Sequence, residues 1–481
     1  MNSLLNGLKN ETNFTITENG ALTHKSTNSA LLDMFAMGGA MRNRDEEDII
    51  LMFKNAFLEN PTYAMKCLFY LGDCRGGQGE RRFFRVCAKW LAKNHPDAIL
   101  RNLNYFPVYR RWDDLYCLVD TPLEDEAFAF VKRQLSLDVQ CKVPSLLAKW
   151  LKSENASSVE THRLANKTRE YLGMTHKQYR KTLSILRERI NIVEKLMSEN
   201  KWDKIEFDKI PSRAGLIYRN AFARHDYARY NEFALNRTTK VNASVLNPVD
   251  IAEKILYTHV TDETERAMYD KYWNNLKDYY NGRTENAIAI CDVSGSMYGT
   301  SLAAAVSMSA YIAEKSNGFF KDYFMTFSQK PDLVKFEGID IVDKFLRAKR
   351  ANWGFDTNIE AAMNLLLDTA VKNNVPKEEM PTTFYIFSDM EFNKGLTDFK
   401  NGGLYTVFEK LEKVWEEFGY ELPRIIFWNL DARHENIPAL GDRFSYVSGF
   451  SMNMVDCILG GKDGYDLMME KLNSSRYEGI C

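Results

Sequence analysis

At about Asn281 the apolar residues change period, and no other feature of the sequence restricts the fold as much. Before that point apolar positions recur at helical spacing, in segments broken at Pro61, Gly76-Gly77, Pro107, Pro122 and Pro144. After it, short apolar runs at 287–291, Tyr323–Phe327, Thr382–Phe387 and Arg424–Asn429 alternate with helical stretches at Leu302–Lys315, Asn358–Val371 and Leu404–Phe418. Strands that alternate with helices predict a parallel sheet with crossover helices on both faces. The expected class is therefore multidomain α plus α/β, with a helical part at 1–285 and a doubly wound, Rossmann-like part at 286–481.

In the first part, helices are predicted at Ser29–Met41, Asp45–Leu58, Thr62–Leu71, Glu80–Asn94, Pro96–Asn104, Trp112–Leu118 and Leu123–Leu137. They continue through Gln178–Asn200, Ile217–Leu235 and Pro248–Asn275. Successive short helices joined by tight turns suggest an α-solenoid, although no repeat is strict enough to assign a class. The 481 residues exceed what one hydrophobic core serves. The eight cysteines include no C-x-x-C pair, so neither a zinc site nor an extracellular disulfide framework is expected. MNSLLNGLKNETNF has no apolar core of signal-peptide length, and no apolar run reaches about 18 residues. A cytoplasmic protein without a membrane partner is expected.

Charge is unevenly distributed. The formal total is −2, yet residues 286–481 hold 20 basic and 28 acidic side chains, which leaves +6 on 1–285. Between Thr161 and Lys240 there are 18 basic and 9 acidic residues. Within Gln178–Asn200, Tyr179, Leu183, Leu186, Ile190, Val193 and Met197 share one helical face, opposite Lys177, Arg180, Lys181, Arg187 and Asn191. A solvated outer face fits that helix alone. Further along, Arg213, Arg219, Arg224, Arg229 and Arg237 are interleaved with Tyr218, Phe222, Tyr227, Tyr230 and Phe233. Arginine forks match phosphates and aromatic rings stack on bases, which turns the reading of the whole region toward nucleic acid. A second basic cluster, Arg75-Gly-Gly-Gln-Gly-Glu-Arg81, follows a helix and lacks the Gly-Lys-Ser/Thr of a nucleotide site. Both a structural turn and a phosphate contact at the next helix fit it.

The most specific constellation is Asp292-Val-Ser-Gly-Ser296, placed where a strand ends and a helix begins. A carboxylate and two hydroxyls at alternate positions offer hard oxygen ligands, which magnesium or another divalent cation prefers. Further oxygens are expected from Thr357, before a helix, and from Asp389, at the end of the run Thr382–Phe387. Helix capping explains one or two of these five positions but not the set.

These residues resemble the metal-ion-dependent adhesion site (MIDAS) of von Willebrand factor A (vWA) domains. The resemblance implies direct ligation by Ser294, Ser296 and Thr357, with Asp292 and Asp389 acting mostly through water. The sequence departs from that family where Gly354-Phe355-Asp356 replaces the usual Gly-Gly before the threonine. Over most of the chain, a helical half carrying the Arg75–Arg81 turn and joined to an A domain resembles the Ro (TROVE-module) RNA-binding proteins. It is more similar still to an uncharacterised Ro-related family, through Thr17-Glu-Asn-Gly20, Leu32-Asp-Met-Phe35, Ala148-Lys-Trp150 and Tyr179-Arg-Lys181. That resemblance implies HEAT-like helices closed into a ring by the A domain, with a basic surface that takes small non-coding or misfolded RNA.

The expected function is a non-catalytic, Ro-like ribonucleoprotein component. Its RNA contacts are expected among Lys177, Arg180, Lys181, Arg187, Arg213, Arg219, Arg224 and Arg229. The alternative is a metal-dependent protein-interaction module without RNA, whose partner donates an Asp or Glu to the cation. Catalysis is not expected, because no histidine lies in a nucleophile motif and no general base is evident.

Overall fold

The computed structural model describes residues 12–350, 357–395 and 405–481. Eight strands lie among them: β1 (Phe14–Ile16), β2 (Leu22–His24), β3 (Ala287–Asp292), β4 (Tyr323–Phe327), β5 (Asp332–Lys335), β6 (Thr383–Ser388), β7 (Arg424–Asn429) and β8 (Phe444–Ser448). The last six form one sheet in the order β5-β4-β3-β6-β7-β8, parallel throughout except for β5. Every residue of β3 and β6 is buried, which is why both read as near-continuous apolar runs. Edge strand β5 carries Asp332 and Lys335, charges that discourage further pairing.

Strand order reverses between β3 and β6. The connections leaving their C-terminal ends diverge there, and doubly wound sheets bind ligands in that crevice. The helix Thr300–Lys315 packs on β3 and β4, and is buried continuously from Ser301 to Ala313. Its alanines and serines let the backbone approach the sheet closely.

The chain forms two compact units: Met1–Cys67 with Ala243–Glu478, and Leu68–Asn242 with Gly479–Cys481. These divisions differ from the sequence boundary at 285/286, because two helical segments cover the α/β part. The helix Ala30–Met37 buries Leu31, Leu32, Met34, Phe35, Ala36 and Met37 and lies against β8. Ser448 Oγ donates to Phe35 O and accepts from Gly39 N, both at 2.9 Å. A Cβ on Gly39 would stand 2.6 Å from Ser448 O, so only glycine permits this approach. The hairpin of β1 and β2 continues the attachment: His24 and Ile437 exchange backbone hydrogen bonds of 2.9 and 2.8 Å. On the other flank, the helix Pro248–Tyr257 packs on Thr300–Lys315, and Arg266 forks onto Asp340 with two bonds of 2.8 Å.

The second unit is helical, and its predicted long helices are divided. Gln178–Asn200 becomes His176–Arg189 and Val193–Ser198, because Asn191 adopts φ +54°, a left-handed conformation that asparagine tolerates. Ile217–Leu235 becomes Ser212–His225 and Tyr227–Leu235, because Asp226 leaves the helical conformation between them at φ −148° and ψ 56°. All eight cysteines are free. Among the described residues no helix is long and apolar enough to cross a membrane.

Candidate functional site

Asp292 is the last residue of β3, and Asp389 follows directly on β6, the adjacent strand. Both carboxylates are buried, at 0% and 1% exposure, together with Ser294 and Thr357. The turn after β3 brings Ser294 Oγ to 3.0 Å from Ser296 Oγ, and Ser296 Oγ donates to Asp389 Oδ2 at 2.7 Å. Asp292 is fixed from both sides: Ser294 N donates to Oδ1 at 2.9 Å, and Ser388 Oγ donates to Oδ2 at 2.5 Å. Ser296 is exposed, so the cluster opens to solvent there.

The electrostatics favour a cation. Burial, and after it the neighbouring Asp389 carboxylate, pushes Asp292 above the usual carboxylate range, against the hydrogen bonds that favour its ionised form. The oxygen spacing is compatible too. Neighbouring ligands of an octahedral cation with bonds near 2.1 Å stand about 3.0 Å apart, and the string from Ser294 through Ser296 to Asp389 has steps of 3.0 and 2.7 Å. The spacing of the Ser294, Ser296 and Asp389 oxygens thus fits a divalent cation, which these residues would hold with buried Asp292 beside them.

Thr357 is tied to a different set of groups. Its hydroxyl donates to Asn393 Oδ1 at 2.5 Å and accepts from Asn19 Nδ2 at 3.1 Å. Gly354, Phe355 and Asp356, where the sequence departs from the vWA pattern, lie outside the described residues.

The motif did not reveal how the site is framed. The turn Thr17–Gly20 of the N-terminal hairpin lies along residues 391–394. Thr17 Oγ1 donates to Phe392 O at 2.7 Å, Glu18 N to Glu391 Oε2 at 2.7 Å and Asn19 Nδ2 to Glu391 O at 2.6 Å. Arg433, beyond β7, places Nη2 3.0 Å from Asp389 Oδ2 and Nη1 2.6 Å from Glu18 Oε2. Ligand atoms of Glu18, Glu391 and His434 also gather within 4.8 Å of one another, but buried Glu391 already accepts from Asn436 Nδ2 and pairs with His434. The one signal in the sequence was the Thr17–Gly20 stretch, without any indication of its partner.

The basic candidates fall into two groups. Lys177, Arg180 and Lys181 are exposed on His176–Arg189, whose opposite face buries Tyr179, Leu183 and Leu186. Arg213 and Arg224 are exposed as well. Arg187 instead turns inward, donating to Ala148 O, Leu151 O and Ser153 Oγ at 2.9, 2.9 and 3.0 Å. Arg229 binds the carbonyls of Trp202, Asp203 and Ile205 and the Asp226 carboxylate. Arg219 reaches Leu216 O at 3.0 Å. Of the interleaved aromatics, Phe222 and Tyr230 are buried around Phe207, whereas Tyr227 is exposed. A cavity of about 400 Å³ is balanced in charge, its lining including Arg180, Arg187 and Lys195 as well as Glu154, Glu194 and Glu199.

The Arg75–Arg81 turn is built into the helical core. Arg81, Arg85, Arg110 and Arg111 converge on Asp113 and Asp114, while Arg75 bonds Val108 O. A Cβ on Gly77 would lie 1.8 Å from Tyr70 O, so this glycine closes the turn.

Comparison with known proteins finds two family models, one relative and one solved structure. A family model described as a domain of unknown function, DUF2828, matches residues 17–127 and 132–280. A second domain of unknown function, DUF7788, matches residues 286–478. An uncharacterized protein of Acanthamoeba polyphaga mimivirus is 29% identical over 500 residues, which covers 94% of this chain and 85% of the relative. The crystal structure of the Deinococcus radiodurans RO (RSR) protein aligns over 95% of this chain and 100% of its own, at 11% identity and a TM-score of 0.34.

Proposed function

The chain belongs to the family of the domain of unknown function DUF2828, and from that premise we propose that it is a non-catalytic binding protein with two ligands. One is a divalent cation, magnesium by its preference for oxygen and water, held by Ser294, Ser296 and Thr357 with Asp292 and Asp389 behind them. Bound there, the cation supplies a position that an Asp or Glu of a protein partner completes. The other ligand is small structured or misfolded RNA, taken in the manner of Ro proteins on the face of Lys177, Arg180 and Lys181.

The observation that carries the reading is the string of oxygens from Ser294 through Ser296 to Asp389, beside a second buried carboxylate. Titration calorimetry with Mg²⁺ on the full chain tests it. Saturable binding that Asp292→Ala abolishes is expected, and equal heats from both proteins would refute the site. The engagement of Arg187 and Arg229 with backbone carbonyls favours a second reading, metal-dependent protein capture without RNA. RNA affinity that falls steeply with salt decides between the two.

A further inference from the structure

We propose that Arg433 governs the affinity of the cation site as a resident positive charge shared between Asp389 and Glu18. The proposal rests on the reading of the site as a divalent-cation site, and adds its regulation. Asp389 Oδ2 has two partners, the Ser296 hydroxyl at 2.7 Å and Arg433 Nη2 at 3.0 Å. The same oxygen thus faces the candidate ligand oxygens and carries a guanidinium. A divalent cation and a guanidinium on one buried carboxylate repel each other, with little water between to screen them. For the cation to exert its full attraction, Arg433 must yield Asp389.

The structure holds a second acceptor ready. Arg433 Nη1 stands 2.6 Å from Glu18 Oε2, on a carboxylate half exposed to solvent where Asp389 is buried. Arg433 Nε is buried without a hydrogen-bond partner, so both of the guanidinium's bonds are made through its Nη atoms, one to each carboxylate. Glu18 is held there by its own backbone, whose N–H donates to Glu391 Oε2 at 2.7 Å, and by Asn19, which reaches Thr357. The hairpin turn is thereby linked to the cation site at two points: through Asn19 to a candidate ligand, and through Glu18 to the arginine that competes with the cation. Displacing the hairpin leaves Arg433 with Asp389 alone and weakens cation binding. With the hairpin attached, as here, Glu18 shares the guanidinium and offsets part of its charge, which strengthens binding.

The test is a double-mutant cycle on the full chain, read as Mg²⁺ affinity by calorimetry and as Tb³⁺ luminescence. Arg433→Gln is expected to raise affinity about tenfold or more, since a like charge leaves the site. Glu18→Gln is expected to lower it by about threefold to tenfold. In the double variant the effect of Glu18→Gln disappears, because it acts only through Arg433. A merely structural role for the pair predicts losses in both single variants and overturns the proposal, as does an unchanged affinity in either. If Arg433→Gln does not fold, Glu18→Gln at its half-exposed turn carries the test, and undiminished affinity there is the overturning result. If wild-type protein binds no Mg²⁺, the cation reading fails and this proposal with it. If wild type binds and only the predicted signs are missing, the cation reading stands and the proposal alone falls.

Discussion

Replacing Arg187 with methionine separates a brace from a phosphate contact. The Arg187 side chain is half-buried, and desolvation lowers its tendency to hold a proton. It donates to the carbonyls of Ala148 and Leu151 and to Ser153 Oγ. Leu147–Trp150 is a single helical turn closed by Leu151 N on Leu147 O, and Arg187 supplies the donor for Ala148 O and for Leu151 O just beyond the turn. A hydrogen bond from a charged donor contributes about 1.5–3 kcal/mol when well buried, and partial exposure argues for about 1 kcal/mol at each acceptor. Methionine preserves the aliphatic stem and its packing, so the loss isolates the three bonds. The expected destabilisation of the helical unit is about 3 kcal/mol, with Arg187→Lys recovering about 1 kcal/mol because an ammonium lacks the fork. Hydrogen exchange of the amides in 147–190 is the suitable assay, since it reports this unit rather than the whole chain. Low-salt RNA affinity of the folded protein should be unchanged. Unaltered protection combined with weakened RNA binding would refute the reasoning and return Arg187 to the RNA surface.

Three further outcomes are expected. Lys177, Arg180 and Lys181 changed together to Glu should lower RNA affinity for every sequence and reduce the salt slope by about 3, as filter binding across a salt series would reveal. Gly39→Ala should cost about 1–3 kcal/mol by forcing its Cβ against Ser448, and should expose the hairpin to limited proteolysis. Asp33 is raised by burial to about 6, although Ser26 and Thr27 donate to it. A carboxyl raised above its unfolded value favours the protonated fold, so stability is lost as pH rises from about 4 to 6, by up to roughly 3 kcal/mol. Thermal melts of Asp33→Asn should be flatter across that window, and parallel melts would contradict this.

Where the sequence was legible, neighbours in the chain were also neighbours in the fold. The strands β3, β4, β6 and β7 announced themselves because burial on both faces demands uninterrupted apolar residues. Asp292, Ser294 and Ser296 stood out because one turn gathers them, and Asp389 because it ends a recognisable strand. β8 was missed: Ser445 and Ser448 interrupt its apolar pattern, yet both are buried, and Ser448 is satisfied by Phe35 O in a segment more than 400 residues away. The helix break at Asn191 was missed because a left-handed residue leaves the amphipathic pattern on either side intact.

Local chemistry settles the change from helical to alternating grammar at Asn281, and it also settles the oxygen-rich turn after β3, since both are written in consecutive residues. It is silent on which surface each arginine faces. Arg180 and Arg187 occupy one helix seven residues apart, and one stays in solvent while the other ends on carbonyls of a helix some 40 residues earlier. The partners of Arg433 are likewise a carboxylate at the end of another strand and one in a hairpin near the N-terminus. Distance along the chain carries no information about such pairs. They form because apolar faces remote in sequence are buried together, and the polar groups trapped beside them must then find one another.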